Sequence, residues 1–258
     1  MLRIKSAENK DIPALSVFCK NSVLGTKILC QISAYGLERD FLSVWHCVTE
    51  DGTTVAVISK FENSITLLCN EADFIDDIKV FVNMIGFDSL CTTNNIALKM
   101  SENELVTKKA YIYRESYNGE KIYDIDERYY RDCYNLISRN IPDSFSDTQE
   151  AYLFFLSDFT FRKRRDLARM KGFTDGGTVY SCALTSAETD TSAIISGVAC
   201  DLSHRKSGLG KKTVLTLAQE LKNEGKDVYV IALNESAEGF YEHIGFEFTE
   251  KISFIERK

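Results

Sequence analysis

Proline is nearly absent from this chain. Two occur in 258 residues, so a long Pro-rich linker between domains is excluded. Histidine is almost as scarce: His46, His204 and His243 show no metal-ligand spacing. Eight cysteines occur, at 19, 30, 47, 69, 91, 133, 182 and 200, but no CxxC pair does. A structural zinc site needs clustered Cys and His, so no metal is expected. No 18-residue apolar run is present, which argues against a membrane-spanning helix. The opening MLRIKSAENKD is charged and lacks the apolar segment of a secretory signal. Excess positive charge is missing too. A net charge of −7 does not suit a protein that coats nucleic acid or an anionic membrane, so neither partner is expected. The expectation is a cytoplasmic protein with reduced, mostly buried thiols.

What is present is ordinary for a globular protein with a core: 44% hydrophobic and 27% charged residues. The length suits two domains. The first half opens with a short strand, LRIKSA, followed by helical patterns in NKDIPALSVFCKNS and LGTKILCQISAYG. FLSVWHCVTEDGTTVAVISKFENSITLLC reads as three strands turning at EDG and KFENS, and DFIDDIKVFVNMIG as a helix stopped by Gly86. The second half begins near KKAYIYRES, a strand. Helices are expected over DERYYRDCYNLISRN and DTQEAYLFFLSDFTFRKRRD, then three strands broken at TDGG and AETDTS. KTVLTLAQELKNEG is a helix, DVYVIALN a buried strand, ESAEGFYEHIGF a short helix, and EFTEKISFIER a final strand or hairpin. The halves share a plan, and NMIGF (83–87) echoes EHIGF (242–246), which fits either a duplication or two helices with a glycine stop. A boundary near residue 110 gives domains 1–110 and 111–258.

The densest chemistry lies at RKSGLGKK, 205–212, between the apolar run ending at Cys200 and a helix. A helix N-terminus leaves backbone N–H groups unpaired and favours an anion. Glycines let several such groups converge, and flanking Arg and Lys add attraction. A phosphate or pyrophosphate cradle is one reading; a plain strand–helix turn is the other. The P-loop pattern GxxxxGK[ST] fails, because its first glycine would fall on Arg205 and its hydroxyl on Lys212. The dinucleotide pattern GxGxxG fails at Thr213, and the next strand ends at Asn234 rather than at an acid.

Arg205-x-x-Gly208-x-Gly210, after an apolar strand and before an amphipathic helix, resembles the acyl-CoA loop of the GNAT family of N-acetyltransferases. Downstream, Asn234, Ala237, Tyr241, Gly245 and Phe246 resemble that family's second signature. The likeness covers 111–258 in plan and is tight over about 196–248. It implies an α/β fold of mixed sheets flanked by helices. It also implies an acetyl-CoA-dependent N-acetyltransferase acting on a small-molecule or peptide amine by direct attack, without a metal. The pantetheine arm would pair with the backbone of Val198, Ala199 and Cys200. The amides from Lys206 through Ser207, Gly208, Leu209 and Gly210 to Lys211, with Arg205 beside them, would hold the pyrophosphate. Asn234 would bond the cofactor, its alternative being a helix cap. Tyr241 would protonate the leaving thiolate, its alternative being a core aromatic.

No general base stands out: Glu188, Asp190 and Asp201 lie near the expected strands. Cys182 and Cys200 suggest a covalent route, but no base is visibly paired with either, and buried structural thiols fit better. His204 and His243 read as surface residues. The first half leads from SITLLC into NEADF, where Glu71, Asp73, Asp76 and Asp77 would repel a pyrophosphate. It is therefore expected to be a degenerate GNAT-like domain, the alternative being an accessory interaction domain. The acceptor is not encoded in any recognisable signature; helices and loops of 127–165, alone or together with the first half, would build its pocket. RKRRD (162–166) reads as an exposed basic helix end rather than a site for an acidic acceptor. Two rivals remain. One is a non-catalytic acyl-CoA-binding or regulatory protein, and the other, weakened by the failed P-loop match, is a nucleotide phosphotransferase.

Overall fold

A computed structural model describes residues 1–142 and 145–257. The chain forms two compact units. The first comprises Met1–Ala110, Ala232–Glu238 and Phe248–Lys258; the second comprises Tyr111–Ile231 and Gly239–Glu247. Set against a simple 1–110/111–258 division, two C-terminal segments fold with the first unit.

In the first unit, β1 (Leu2–Ser6) is followed by α1 (Ile12–Cys19) and α2 (Val23–Tyr35). Ser22 starts α2 by accepting from the Gly25 amide at 3.2 Å. Next come β2 (Leu42–Thr49), β3 (Thr54–Phe61), β4 (Ser64–Cys69), α3 (Ile75–Ile85), β5 (Ser89–Thr93) and α4 (Asn94–Met100). Both β5 and α4 fall in a stretch that the sequence left blank. Val55 to Ile58, Ile65 and Leu67 are buried in adjacent strands, so β3 and β4 read as apolar runs rather than alternating patterns. The strands β1 to β4 are antiparallel, and β4 then pairs with β5 in parallel. The far edge of β5 is closed by the last strand of the chain, β11 (Phe246–Glu256), with Ile252 opposite Thr93 and Glu256 opposite Ser89. Ile252 is fully buried. This single long strand, not a hairpin, carries the C-terminus into the first unit.

β6 (Val106–Tyr113) enters the second unit at Tyr111. After it come α5 (Tyr130–Asn140), α6 (Gln149–Lys163), β7 (Met170–Thr174), β8 (Val179–Glu188), β9 (Ser192–Cys200), α7 (Leu209–Asn223), β10 (Asp227–Ala232) and α8 (Glu235–His243). Tyr130, Cys133 and Ile137 on one face of α5 pack with Phe159 of α6 and with Met170, Cys182 and Leu184 of the sheet. The order is β6-β10-β9-β8-β7, and only the β9–β10 pairing among β7 to β10 is parallel.

The two units repeat one order of elements: two helices, three antiparallel strands, a helix, a parallel strand, a short helix. In that order α3 corresponds to α7 and α4 to α8. The NMIGF and EHIGF segments close α3 and α8, which are not counterparts. The plan is duplicated, and the five-residue echo is not part of it.

Candidate active site

The parallel ladder between β9 and β10 is short. It runs from Ser192 opposite Asp227 to Ile195 opposite Val230, while β9 continues five residues further, to Cys200. On its other side β9 stays paired with β8, Ala199 opposite Cys182 and Cys200 opposite Ser181. The β10-facing backbone of Val198, Ala199 and Cys200 therefore lies beyond the ladder, an extended edge with hydrogen-bonding capacity to spare. Gly197 opens this stretch. It sits at a register shift against β8 with φ +56°, and an added Cβ would lie 3.0 Å from Ile137 Cδ1 and from Leu184 Cδ2. A bulge here bends the strand and re-aims Val198 to Cys200.

After Cys200 the Asp201 carboxylate accepts from the Ser203 amide at 2.9 Å and starts a short 3-10 turn, Leu202–His204. The His204 ring lies against Tyr180, centroids 4.1 Å apart. The backbone then enters left-handed geometry twice, at Lys206 (φ +63°) and at Gly208 (φ +86°), which is the N-cap of α7. A Cβ on Gly208 would meet no atom within 4 Å. Glycine is required there by the backbone, not by crowding, and the space above the turn is open. Helical bonding begins with Lys212 N–H donating to Gly208 O at 2.9 Å, so the amides of Leu209, Gly210 and Lys211 have no helical acceptor. Lys206 and Lys211 are exposed and make no side-chain hydrogen bond or ion pair among the described residues. Arg205 donates to Asn140 Oδ1 at 2.6 Å, and Lys212 is paired with Glu120 at 2.6 Å.

Tyr241 lies on α8 with 6% of its surface exposed, its ring edge-on to Phe240 and Phe246 at 5.4 and 5.6 Å. Burial pushes its hydroxyl above the ordinary tyrosine range, so it stays protonated. Among the described residues no group hydrogen-bonds to that hydroxyl, which remains available as a donor. Asn234 caps α8, its Oδ1 accepting from the Ala237 amide at 3.0 Å.

The base candidates are already committed elsewhere. Glu188 is fully buried and bonded to Arg169 and to Lys226 at 2.7 Å. Asp201 holds the 3-10 turn. Asp190 is exposed in the β8–β9 turn, at the end of β9 remote from the loop. All eight cysteines are free thiols. The buried Cys133 beside it, and burial itself, hold Cys182 well above the usual thiol range. Burial raises Cys200 too, against the Gly210 amide and Arg205. Neither is poised as a thiolate nucleophile. At the basic helix end Arg164, Arg165 and Asp166 are exposed as expected, but Arg162 is buried, paired with Asp158 at 2.7 Å, and Lys163 is half-buried and donates to the Tyr130 hydroxyl at 2.6 Å. Within the stretch 127–165, expected to build the acceptor pocket, residues 143 and 144 lie outside the described residues. Among the described residues no group of three or more His, Cys, Asp or Glu is placed to hold a metal ion, and no helix is long and apolar enough to cross a membrane.

Comparison with known proteins gives this geometry a context. Residues 172–255 match a family model described as FR47-like protein, a GNAT-like family. No curated protein matches the chain. Solved structures do, over nearly its whole length. A GCN5-related N-acetyltransferase from Sphaerobacter thermophilus aligns with TM-score 0.64 and 14% identity, covering 99% of this chain and 95% of that one. A GNAT-family acetyltransferase from Colwellia psychrerythraea aligns with TM-score 0.61 and 13% identity, covering 99% and 100%. A tandem GNAT protein from the clavulanic acid biosynthesis pathway aligns with TM-score 0.60 and 14% identity, covering 99% and 98%. The fold is thus a tandem GNAT fold.

Proposed function

We propose that this chain, a tandem GNAT-fold protein, is an N-acetyltransferase whose second unit takes acetyl-CoA and passes its acetyl group to an amine. The observation that carries the reading is the run of β9 past its ladder with β10 into the Gly208 cap of α7. An extended edge beyond the ladder there meets the first amides of α7, which lack helical acceptors, and two exposed lysines without ion pairs among the described residues. A long donor with an amide-bearing arm and an anionic diphosphate fits both ends. Val198, Ala199 and Cys200 would pair with the arm through backbone groups. The amides of the turn up to Lys211, with Lys206 and Lys211, would hold the diphosphate.

The amine nitrogen attacks the thioester carbonyl carbon, and a C–N bond forms as the C–S bond breaks. The departing sulfur takes the proton of Tyr241 Oη. The proton shed by the amine passes to water and restores the tyrosine. Burial keeps the Tyr241 hydroxyl protonated, so the proton is there to be given. Since Glu188 and Asp201 are engaged, water is the acceptor of the amine proton in this reading. The amine is a small molecule or a peptide. In the first unit the corresponding turn carries Glu71, Asp73, Asp76 and Asp77 in place of glycines and cations, which argues for a single donor site.

Tyr241→Phe separates the enzyme from a non-catalytic acyl-CoA-binding protein. Turnover is expected to fall about 100-fold or more, with acetyl-CoA affinity within about twofold of the wild type. Unchanged turnover would remove Tyr241 from the mechanism.

A further inference from the structure

The loop that would hold the diphosphate carries four cations, and they are treated differently. Lys212 is neutralised by a carboxylate, Glu120. Lys206 and Lys211 make no side-chain hydrogen bond or ion pair among the described residues. Arg205 alone is held by a neutral acceptor, Asn140 Oδ1, at 2.6 Å. Asn140 is the last residue of α5, far from the loop in sequence. Its own amide is fixed, because Nδ2 donates to Leu136 O at 2.8 Å and leaves Oδ1 as the acceptor facing the guanidinium. The carbonyl end of α5 carries partial negative charge, which favours a cation there. Arg139, the adjacent cation, is turned back onto Asn135 O at 2.9 Å and does not compete.

We propose that Asn140 is a positioning residue that pre-orders Arg205 for the diphosphate of the acyl donor; the inference rests on the acetyl-CoA reading above. A neutral amide fixes the direction of the guanidinium without cancelling its charge, as a carboxylate would. One of five N–H donors is spent, and the others remain for phosphate oxygens. An exposed arginine free in solution loses side-chain entropy when it is ordered on a ligand, and Asn140 removes part of that loss beforehand. The same contact ties the phosphate loop to the end of α5.

The test uses the full chain and two acyl donors. Acetyl-CoA is titrated calorimetrically. S-acetylpantetheine, which lacks the diphosphate, is followed by turnover. In Asn140→Ala, acetyl-CoA is expected to bind about threefold to tenfold more weakly, with kcat/KM for S-acetylpantetheine unchanged. In an Arg205→Ala background the Asn140 substitution should have no further effect, whereas general damage to the loop would weaken both donors and add to the Arg205 loss. Equal or tighter acetyl-CoA binding by Asn140→Ala overturns the inference and leaves the function standing. Failure of the wild type to bind acetyl-CoA defeats the function itself. Should Asn140→Ala not fold, Asn140→Asp carries the test. Its added charge would neutralise Arg205, weakening acetyl-CoA and sparing S-acetylpantetheine; equal weakening of both donors overturns the inference.

Discussion

Gly208 can be replaced in a way that separates backbone demand from steric demand. Its φ of +86° is left-handed, and a Cβ there would meet nothing within 4 Å. In Gly208→Ala the only penalty is conformational, about 1–2 kcal/mol for an L-residue held in that region. Where the free variant relaxes out of that geometry and must re-enter it to bind, the penalty appears in the affinity. At 1.4 kcal/mol per decade it amounts to roughly fivefold to thirtyfold weaker acetyl-CoA binding. Strain that the free variant keeps appears instead in stability, as a fall of roughly 2–8 °C in the midpoint of thermal unfolding. Asparagine tolerates this region better than alanine, so Gly208→Asn should recover most of both losses, to within about threefold in affinity. Calorimetry and thermal melts on the three proteins provide the comparison. Unchanged affinity together with an unchanged unfolding midpoint in Gly208→Ala would refute the claim that left-handed geometry at this turn shapes the donor site. Equal losses in Ala and Asn would show that the glycine serves close approach of a ligand rather than backbone shape.

Other consequences can be measured independently of ligand. Glu188 is fully buried beneath Arg169 and Lys226, which Glu224 also bridges and Glu220 joins at Arg169, so Glu188→Gln removes the buried charge but leaves both cations paired and should cost about 1.5–3 kcal/mol by denaturant unfolding; a loss below about 0.5 kcal/mol would contradict that account. In the first unit, burial lowers the pKa of His46. Burial opposes ionisation of Asp11, but Lys5, the Glu8 amide and His46 outweigh it and hold its pKa below the usual carboxylate range. Both folded-state values are depressed, so the unfolded chain binds more protons. The stability these two groups contribute is complete above the ordinary histidine pKa, about 6.5, and declines as pH falls through the His46 and then the Asp11 transitions. Unfolding curves from about pH 8 to about pH 3 should show this decline, and Asp11→Asn should flatten its acid part; a pH-independent midpoint would contradict it. Removing residues 248–258 strips the strand partner from β5 and uncovers a buried edge. The truncated chain, like an isolated 1–110 fragment, should aggregate or lose the first unit's unfolding transition, and a well-folded monomer would disprove the dependence.

The parts of the fold readable in the sequence were those with strong period or punctuation. The helix from Leu209 announced itself through Val214, Leu217, Ala218 and Leu221 on one face, and through the glycine turn ahead of it. β2 to β4 were legible as apolar runs between turns. The segment holding β5 and α4 was not, because SLCTT is short and NNIALKM is barely two turns long, too little for either period to show. That the C-terminal strand belongs to the first unit also left no local trace: EFTEKISFIER has the same alternation whichever edge it meets. The site shows the same split. Gly208, Gly210 and Tyr241 sit in spaced motifs, and the turn and helix they predict are present. Asn140 and Glu120, which hold Arg205 and Lys212, lie 65 and 92 residues away in the chain and carry no signature. The burial of Arg162 was hidden as well, since RKRRD looks like a solvated helix end until Asp158 and the Thr185 carbonyl are seen to receive it.

The most direct test of the central claim is calorimetric titration of the whole chain with acetyl-CoA beside the Gly208→Glu variant. The account predicts one molecule bound per chain and none bound by the variant, whose carboxylate would face the diphosphate. No binding by the wild type, binding that survives Gly208→Glu, or two molecules per chain would contradict a single donor site at the turn between β9 and α7.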